Sequence, residues 1–181
     1  LGPLSNADAR YYKGDVPFWN EMLRHANYDD WWKARNIRPH LKGVKPAVLN
    51  VGGWYDAENL YGVLETYKAV EASTPRATNV LVMGPWSHGS WAGGPGASLG
   101  PIPFNSNTGE YYREQIEFPF FRSRLKEPDG ATVPEARVFE TGTNQWRTFD
   151  VWPPKAARPR TLFLTARGRV GLTPDSSPAP A

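Results

Sequence analysis

The feature that most constrains the fold of this 181-residue sequence is a strand–helix–strand pattern near its middle. Short apolar runs at residues 47–51 and 80–83 are each followed by glycine, which is typical of buried strands. Between them, from Glu58 to Glu71, apolar residues recur at helical spacing. Because two strands joined by a helix lie parallel in one sheet, the pattern predicts a βαβ unit in a doubly wound α/β sheet.

Shorter helices are predicted before this unit. Pro17 stands at a first helical position and predicts a short amphipathic helix that ends near His25. Asn27 is expected to cap a second helix, with Asp29 and Asp30 in its first turn, where the helix dipole favours acidic side chains. A basic connector then leads to the first strand.

After the βαβ unit the pattern changes twice. Residues 84–109 are rich in glycine and predict a loop, and residues 110–126 predict a long helix that Pro119 kinks. Beyond residue 130 the apolar period becomes two, which is typical of antiparallel strands. The pattern therefore divides the chain into a helical segment at 1–45, an α/β part at 46–133 and the start of an all-β domain at 134–181.

Composition excludes several classes of function. The chain has no cysteine, so disulfides, thiolate metal sites and a cysteine nucleophile are excluded. Its three histidines are too dispersed for a recognisable metal motif, and we expect neither a metal nor a cofactor. The net charge is only +3 and the basic residues are scattered, so nucleic acid is not an expected partner.

Neither a membrane span nor a compartment is predicted. The longest stretch without Asp, Glu, Lys or Arg, residues 77–109, is interrupted throughout by glycine and proline. The chain begins at Leu1 with neither an initiator methionine nor a signal-peptide pattern. We interpret this start as lying inside a longer protein and assign no compartment.

Two residues with acid–base chemistry follow the predicted strands. Asp56 comes a few residues after the first strand, and His88 comes just after the second. In open α/β sheets, sites form at the carboxyl ends of the strands, and the βαβ topology brings these two ends together. A carboxylate that contacts one imidazole nitrogen orients the ring and stabilises the imidazolium formed when the ring accepts a proton. The pair therefore predicts the acid–base half of a nucleophilic site.

Structural roles are the alternative for the same residues. A histidine after a strand is often only hydrogen-bonded, and Asp56 could cap the helix that follows it. Four aromatic residues flank the pair and could line a substrate pocket, although core packing explains them equally well; they are Trp54, Tyr55, Trp86 and Trp91.

The sequence offers no convincing serine nucleophile. A Gly-x-Ser-x-Gly pattern occurs once, at residues 96–100, with Ser98 at its centre. Its context is wrong for a strand-to-helix elbow, because no strand precedes it, prolines follow it and it comes after His88. Ser87 and Ser90 flank His88 but also lack an elbow. We therefore expect the nucleophile to lie elsewhere in the polypeptide.

Several motifs resemble one family of α/β-hydrolases, which contains cocaine esterase, α-amino-acid ester hydrolase, glutaryl acylase and X-Pro dipeptidyl peptidase. The resemblance extends over about residues 10–165, and the separation of 32 residues between Asp56 and His88 is similar to that of the α-amino-acid ester hydrolase branch. The segments that carry it are Gly52-Gly53-Trp54-Tyr55-Asp56, Leu81-Val82-Met83-Gly84-Pro85-Trp86-Ser87-His88-Gly89, Tyr111-Tyr112-Arg113-Glu114, Asn27-Tyr28-Asp29-Asp30-Trp31-Trp32 and Gly142-Thr143-Asn144-Gln145-Trp146-Arg147.

The resemblance implies a serine hydrolase of ester or amide bonds in small molecules. It assigns Asp56 as the acid and His88 as the base of a Ser–Asp–His triad, and it implies a jelly-roll β-domain that begins near residue 134. It places the serine, a tyrosine-assisted oxyanion hole and most of a helical cap upstream of this sequence, so that the rest of its own polypeptide is the expected partner; a homo-oligomer is left open. In the α-amino-acid ester branch acidic residues bind a substrate ammonium, a role open to Asp29 or Asp30.

A function of another class fits the same sequence. A non-catalytic module that binds carbohydrate or assembles with another subunit would also need aromatic loops and a β-domain. Such a module does not require an aspartate and a histidine placed at neighbouring strand ends. A Gly-x-Ser-x-Gly elbow upstream of this sequence would favour the enzyme.

Overall fold

The computed structural model describes residues 2–127, 133–165 and 168–174, arranged as two compact units. The first unit comprises Leu1–Asn50 and Tyr61–Asn79, and the second comprises Val51–Leu60 and Val80–Ala181. Five α-helices are described: α1 Pro17–Arg24, α2 Asp30–Lys33, α3 Leu60–Ser73, α4 Thr108–Tyr112 and α5 Phe118–Leu125. The strands are β1 Val48–Gly53, β2 Asn79–Gly84, β3 Ser98–Leu99, β4 Ile102–Pro103, β5 Ala136–Glu140, β6 Gln145–Phe149, β7 Phe163–Thr165 and β8 Arg169–Gly171.

The predicted βαβ unit is present as β1, α3 and β2. The Val48 N–H donates to the Thr78 carbonyl (2.8 Å) and the Trp54 N–H donates to the Gly84 carbonyl (2.9 Å). Because the residue numbers of donor and acceptor rise together, β1 and β2 are parallel. Within the first unit, the Asn79 amide donates to the Tyr67 carbonyl of α3 (3.1 Å), so the start of β2 is tied to the helix that leads into it.

The sheet continues beyond the βαβ unit in the order β1-β2-β5-β6. Strand β5 pairs in parallel with β2, with Leu81 opposite Ala136, and β6 pairs antiparallel with β5. The result is a mixed α/β sheet with helices. The boundary predicted at residue 134 therefore falls inside this sheet, because an alternating pattern predicts a strand but not the strand with which it pairs.

Two further short pairs lie outside the mixed sheet. Strands β3 and β4 form a hairpin within the glycine-rich segment that was predicted to be a loop, and β7 pairs antiparallel with β8. The hairpin forms where the chain reverses between Leu99 and Ile102. None of the helices in the described ranges is both long and apolar enough to cross a membrane.

The cap of α2 differs from the prediction. Asp29, not Asn27, is the N-cap: its side chain accepts hydrogen bonds from the N–H groups of Trp31 (3.0 Å) and Trp32 (3.4 Å). The backbone of Asp29 is extended, which directs its carboxylate toward these groups. The segment holds several residues that can cap a helix, and only the backbone conformation selects among them.

The helix predicted at residues 110–126 is continuous from Thr108 to Leu125 but changes its hydrogen-bond pattern in the middle. Residues Arg113–Glu117 form one π-helical turn between α4 and α5, and the Phe118 N–H donates to the Arg113 carbonyl five residues back. Pro119, which has no N–H and crowds the preceding turn, follows directly. The expected distortion at Pro119 therefore takes the form of a π turn.

An aromatic core forms beneath the sheet in the second unit. Trp86 is 2% exposed, and its indole contacts Tyr112 (5.5 Å between ring centroids) and Trp146 (5.8 Å). Phe139 of β5 contacts both Trp146 and Phe104 in edge-to-face geometry. Such contacts bury large apolar areas, so this cluster anchors the loop that leaves β2 at Trp86.

Candidate active site

The segment after β1 approaches the segment after β2 very closely. The Tyr55 N–H donates to the Trp86 carbonyl (3.1 Å), and the Asp56 N–H closes a turn by donating to the Gly53 carbonyl (3.2 Å). A Cβ atom at Gly53 would lie 2.0 Å from the Trp86 carbonyl oxygen, so glycine is required at this position. The close approach places Asp56 next to the residues that follow Trp86.

His88 follows an anchored tryptophan. Trp86 is buried, and its Nε1 donates to the Thr108 hydroxyl (2.9 Å). A Cβ atom at Gly84 would lie 2.4 Å from the Trp86 indole, so the ring packs directly over the end of β2. His88 is two residues beyond this anchor, and its side chain is 54% exposed.

The predicted contact between Asp56 and His88 is present in the structure. Oδ2 of Asp56 lies 3.0 Å from Nδ1 of His88, and the aspartate side chain is only 2% exposed. Oδ1 accepts hydrogen bonds from the N–H groups of Glu58 (2.8 Å) and Asn59 (2.9 Å) in the turn before α3. Asp56 is therefore not at the N-cap of α3, which begins four residues later at Leu60: one of its oxygens holds the turn before that helix and the other pairs with His88.

The pKa values of the pair move in opposite directions. Burial raises the pKa of Asp56, but hydrogen bonds from Asn59, Glu58 and His88 outweigh burial and leave it below its usual value. The hydrogen bond to Asp56, followed by the negative charge of Glu58, raises the pKa of His88. Asp56 is therefore ionised at neutral pH and accepts the Nδ1–H of His88, which leaves the lone pair of neutral His88 on Nε2.

The Nε2 edge of His88 faces Glu58, a residue to which the sequence pattern gave no role in the site. Oε2 of Glu58 lies 3.5 Å from Nε2, and the Glu58 side chain is 74% exposed. The Trp91 ring contacts the imidazole from another side, with 6.4 Å between centroids. No sequence signal distinguished Glu58, because its proximity to His88 depends on the turn made by Asp56.

The four flanking aromatic residues occupy different environments. Trp86 is buried in the core, and Tyr55 is 42% exposed. The Trp54 indole donates to the Phe139 carbonyl (2.9 Å) and lines a cavity of about 290 Å³ with Phe139, Phe149 and Trp152. Of the four, Trp91 is the one whose ring contacts His88. A role for any of them in substrate binding stays a prediction.

Asp29 and Asp30 lie in the first unit and have different partners. Besides capping α2, Asp29 contacts Nδ1 of His25 (2.6 Å), and this hydrogen bond lowers the aspartate pKa. The Asp30 side chain is 96% exposed and pairs with Lys33 (2.9 Å). The carboxylate of Asp29 is therefore engaged in local structure, whereas that of Asp30 is open to solvent.

We expect Asp29→Ala to lower the melting temperature and Asp30→Ala to leave it almost unchanged. Removal of Asp29 leaves two helix N–H groups without their cap and His25 without its partner. Loss of the exposed pair between Asp30 and Lys33 costs little. Thermal unfolding of the two neighbouring variants measures the difference, and equal melting temperatures would contradict the capping role.

Ser98 does not stand on an elbow. It lies in β3, opposite Pro103 of β4, in a hairpin and not between a strand and a helix. Gly96 and Gly100 both have positive φ angles, which suit the turns that flank this short strand. Ser87 and Ser90 are hydrogen-bonded to each other through their hydroxyl groups (2.7 Å). Ser98 is therefore not on a strand-to-helix elbow, and the expectation that none of the three serines is the nucleophile stays a prediction.

A mixed α/β sheet with a carboxylate–imidazole pair at adjacent strand ends is the arrangement that α/β-hydrolases use for their acid and base. Comparison with known proteins agrees with this class. The family model of X-Pro dipeptidyl-peptidase (S15 family) matches residues 3–90, a range that includes Asp56 and His88. Over these residues the chain is similar to proteins of the esterase or peptidase type.

Individual proteins similar to this chain are named as esterases, ester hydrolases or peptidases. Cocaine esterase of Rhodococcus sp. (strain MB1 Bresler) is 29% identical over 140 residues, which are 74% of this chain and 23% of the esterase. An α-amino acid ester hydrolase structure matches with a TM-score of 0.87 and 27% identity over 98% of this chain and 30% of its own. An aminopeptidase from the marine sediment archaeon Thaumarchaeota archaeon matches with a TM-score of 0.78 and 31% identity over 88% and 26%.

The comparisons confirm the resemblance to cocaine esterase, α-amino-acid ester hydrolase and X-Pro dipeptidyl peptidase. The similarity to glutaryl acylase stays a prediction. The chain spans roughly a quarter of the length of these relatives, between 23% and 30% of each.

Proposed function

We propose that this chain supplies the acid, Asp56, and the base, His88, of a Ser–Asp–His triad in a hydrolase of ester or amide bonds. The observation that carries the proposal is the 3.0 Å contact between Oδ2 of Asp56 and Nδ1 of His88. The buried carboxylate has both oxygens occupied, and the other nitrogen of the half-exposed imidazole, Nε2, has only the exposed Glu58 carboxylate 3.5 Å away. This is the geometry required of a base that takes a proton from a nucleophile.

The proposed reaction is acyl transfer. Nε2 of His88 takes the proton of the serine hydroxyl as the serine oxygen attacks the substrate carbonyl, and the imidazolium then donates that proton to the leaving alcohol or amine. In the second step water attacks the acyl-enzyme and His88 takes its proton; the bond to the serine oxygen then breaks, the imidazolium returns the proton to that oxygen, and the acid product leaves. Asp56 stays ionised throughout and stabilises the imidazolium.

The remaining parts of the site are proposed to come from the same polypeptide outside these 181 residues. These parts are the serine elbow, the oxyanion hole and most of a helical cap, to which residues 1–45 would contribute the end. The strands near the end of the chain, β7 and β8, are proposed to belong to a jelly-roll domain. The substrate is proposed to be a small ester or amide of the kind for which the relatives are named.

Labelling with a serine-directed fluorophosphonate tests the proposal in the full-length protein. We expect one adduct, located by peptide mass spectrometry on an elbow serine outside residues 1–181. His88→Ala should react far more slowly, because the serine has lost its base. Ser98→Ala is the matched control and should react at the wild-type rate.

Two results would contradict the proposal. An adduct on Ser98 would assign the nucleophile to the β3–β4 hairpin. Absence of labelling in the full-length protein, with no turnover of esters or peptides, would favour the alternative of a non-catalytic binding or assembly module.

A further inference from the structure

The loop that carries His88, residues 85–97, lies against the start of α4. The Thr108 hydroxyl accepts the indole N–H of Trp86 (2.9 Å) and donates to the Gly96 carbonyl (2.6 Å). The Gly109 N–H donates to the Pro95 carbonyl (2.9 Å). The first turn of α4 therefore holds both ends of this loop.

Arg113, one turn further along the helix, holds the middle of the loop. Its Nη1 donates to the Trp91 carbonyl (3.0 Å), and its Nη2 donates to the Gly94 carbonyl (2.8 Å). A guanidinium presents its donors in a rigid fork, so two simultaneous bonds fix the relative position of the two carbonyls. Gly94 has a positive φ angle, so the chain turns between the two attachment points.

The start of α4 and the loop are closely packed at Gly109. A Cβ atom at Gly109 would lie 3.2 Å from the Gly94 carbonyl oxygen and 3.3 Å from Nη1 of Arg113. A side chain here would have to move the loop or the guanidinium by a few tenths of an ångström. The close contact of α4 with the loop thus lies beside the two hydrogen bonds that Arg113 donates.

The hydrogen bond from Arg113 to the Trp91 carbonyl bears on the position of His88, the proposed base. The Trp91 ring contacts His88 (6.4 Å) and the buried Trp86 (5.9 Å), so it lies between the fixed core and the imidazole. His88 itself is half exposed and is held by Asp56 on one edge. The orientation of its ring therefore depends on the loop as well as on Asp56.

We propose that Arg113 is a positioning residue for the base: by holding the Trp91 and Gly94 carbonyls, it keeps the His88 ring in hydrogen-bond contact with Asp56. The inference rests on the proposed function, in which His88 is the base. Arg113 acts through the loop and does not touch the reacting atoms.

Kinetics of the full-length protein on a chromogenic ester test this inference. We expect Arg113→Met to lower kcat by about 10- to 100-fold, because a displacement of about 1 Å at a catalytic group costs about that much, and to leave KM unchanged. Arg113→Lys, which can still donate to a carbonyl, should recover most of the loss. Arg122→Met is the matched control, since Arg122 pairs with Glu127 at the surface of α5 and should retain wild-type kcat.

The pH profile separates positioning from a direct charge effect. Among the described residues, the charged groups that face His88 are Asp56 and Glu58. The hydrogen bond between His88 and Asp56 raises the pKa of His88. If Arg113→Met loosens that bond, the pKa of His88 falls and the acidic limb of kcat/KM moves to lower pH. Loss of a nearby positive charge alone would move the limb to higher pH.

Each further outcome decides between the inference and its alternatives. A wild-type kcat for Arg113→Met, or a loss that Arg113→Lys does not restore and that leaves the acidic limb unmoved, would overturn the positioning role. If Arg113→Met does not fold, Arg113→Gln replaces it: a wild-type kcat for Arg113→Gln would overturn the inference, and a reduced kcat with an unchanged KM would support it. A fully active His88→Ala would instead show that the proposed function is wrong.

Discussion

Replacing Asp56 by Asn in the full-length protein should lower kcat by about 10⁴-fold, the loss that follows the same substitution in the Ser-His-Asp proteases. The amide fits the space of the carboxylate but can donate a hydrogen bond to Nδ1 of His88. The neutral imidazole then carries its proton on Nε2, where the nucleophile needs an acceptor. Steady-state hydrolysis of a neutral ester measures kcat, and circular dichroism verifies that the variant is folded.

Two further variants, His88→Ala and the double variant, test whether Asp56 and His88 act together. His88→Ala should lose at least as much activity as Asp56→Asn, and the double variant should lose little more than His88→Ala, because members of a triad act as a unit. Near-full activity of Asp56→Asn would exclude Asp56 as the triad acid. Glu58, whose carboxylate is 3.5 Å from the other ring nitrogen, would then become the candidate.

Gly53→Ala should damage both stability and catalysis, although Gly53 has no functional group. The added methyl would lie 2.0 Å from the Trp86 carbonyl oxygen, a backbone atom that cannot move independently. Relief of this clash separates the chain after β1 from the chain after β2 and breaks the hydrogen bond from Tyr55 to Trp86. We expect a destabilisation of about 1–3 kcal/mol from overpacking and a fall in kcat of about 10²-fold from displacement of His88.

Gly93→Ala is the matched control for this variant. Gly93 lies in the loop that carries His88, and a Cβ atom there would have no atom within 4 Å. We therefore expect near-wild-type stability and activity from it. Chemical denaturation and ester hydrolysis compare the two variants, and a Gly53→Ala protein as stable and active as Gly93→Ala would contradict the close approach at Trp86.

Local patterns were sufficient to predict the elements that position the candidate site. The two apolar runs and the helical period between them predicted β1, α3 and β2 to within a few residues of their observed ends. The same topology placed Asp56 and His88 at neighbouring strand ends, since parallel strands present their carboxyl ends at one edge of a sheet. The prolines after Ser98 likewise predicted that no helix starts there, and β3 instead returns through β4.

Choices among equivalent residues could not be made from the sequence. Asn27 and Asp29 can both cap a helix, and the extended backbone at Asp29 decides between them. The pairing of β5 with β2 could not be predicted from the sequence either, because an alternating pattern does not indicate which strand lies next to it.

By itself, the sequence determined that this chain contains a βαβ unit with an aspartate and a histidine after its strands, because short-range spacing encodes strands, helices and their order. Only the tertiary structure decided that one oxygen of Asp56 holds the turn before α3 while the other holds His88. It also decided that Gly53 must lack a side chain and that Arg113 holds the loop of His88. These contacts join residues distant in sequence, and their geometry depends on how the strand ends and α4 pack together.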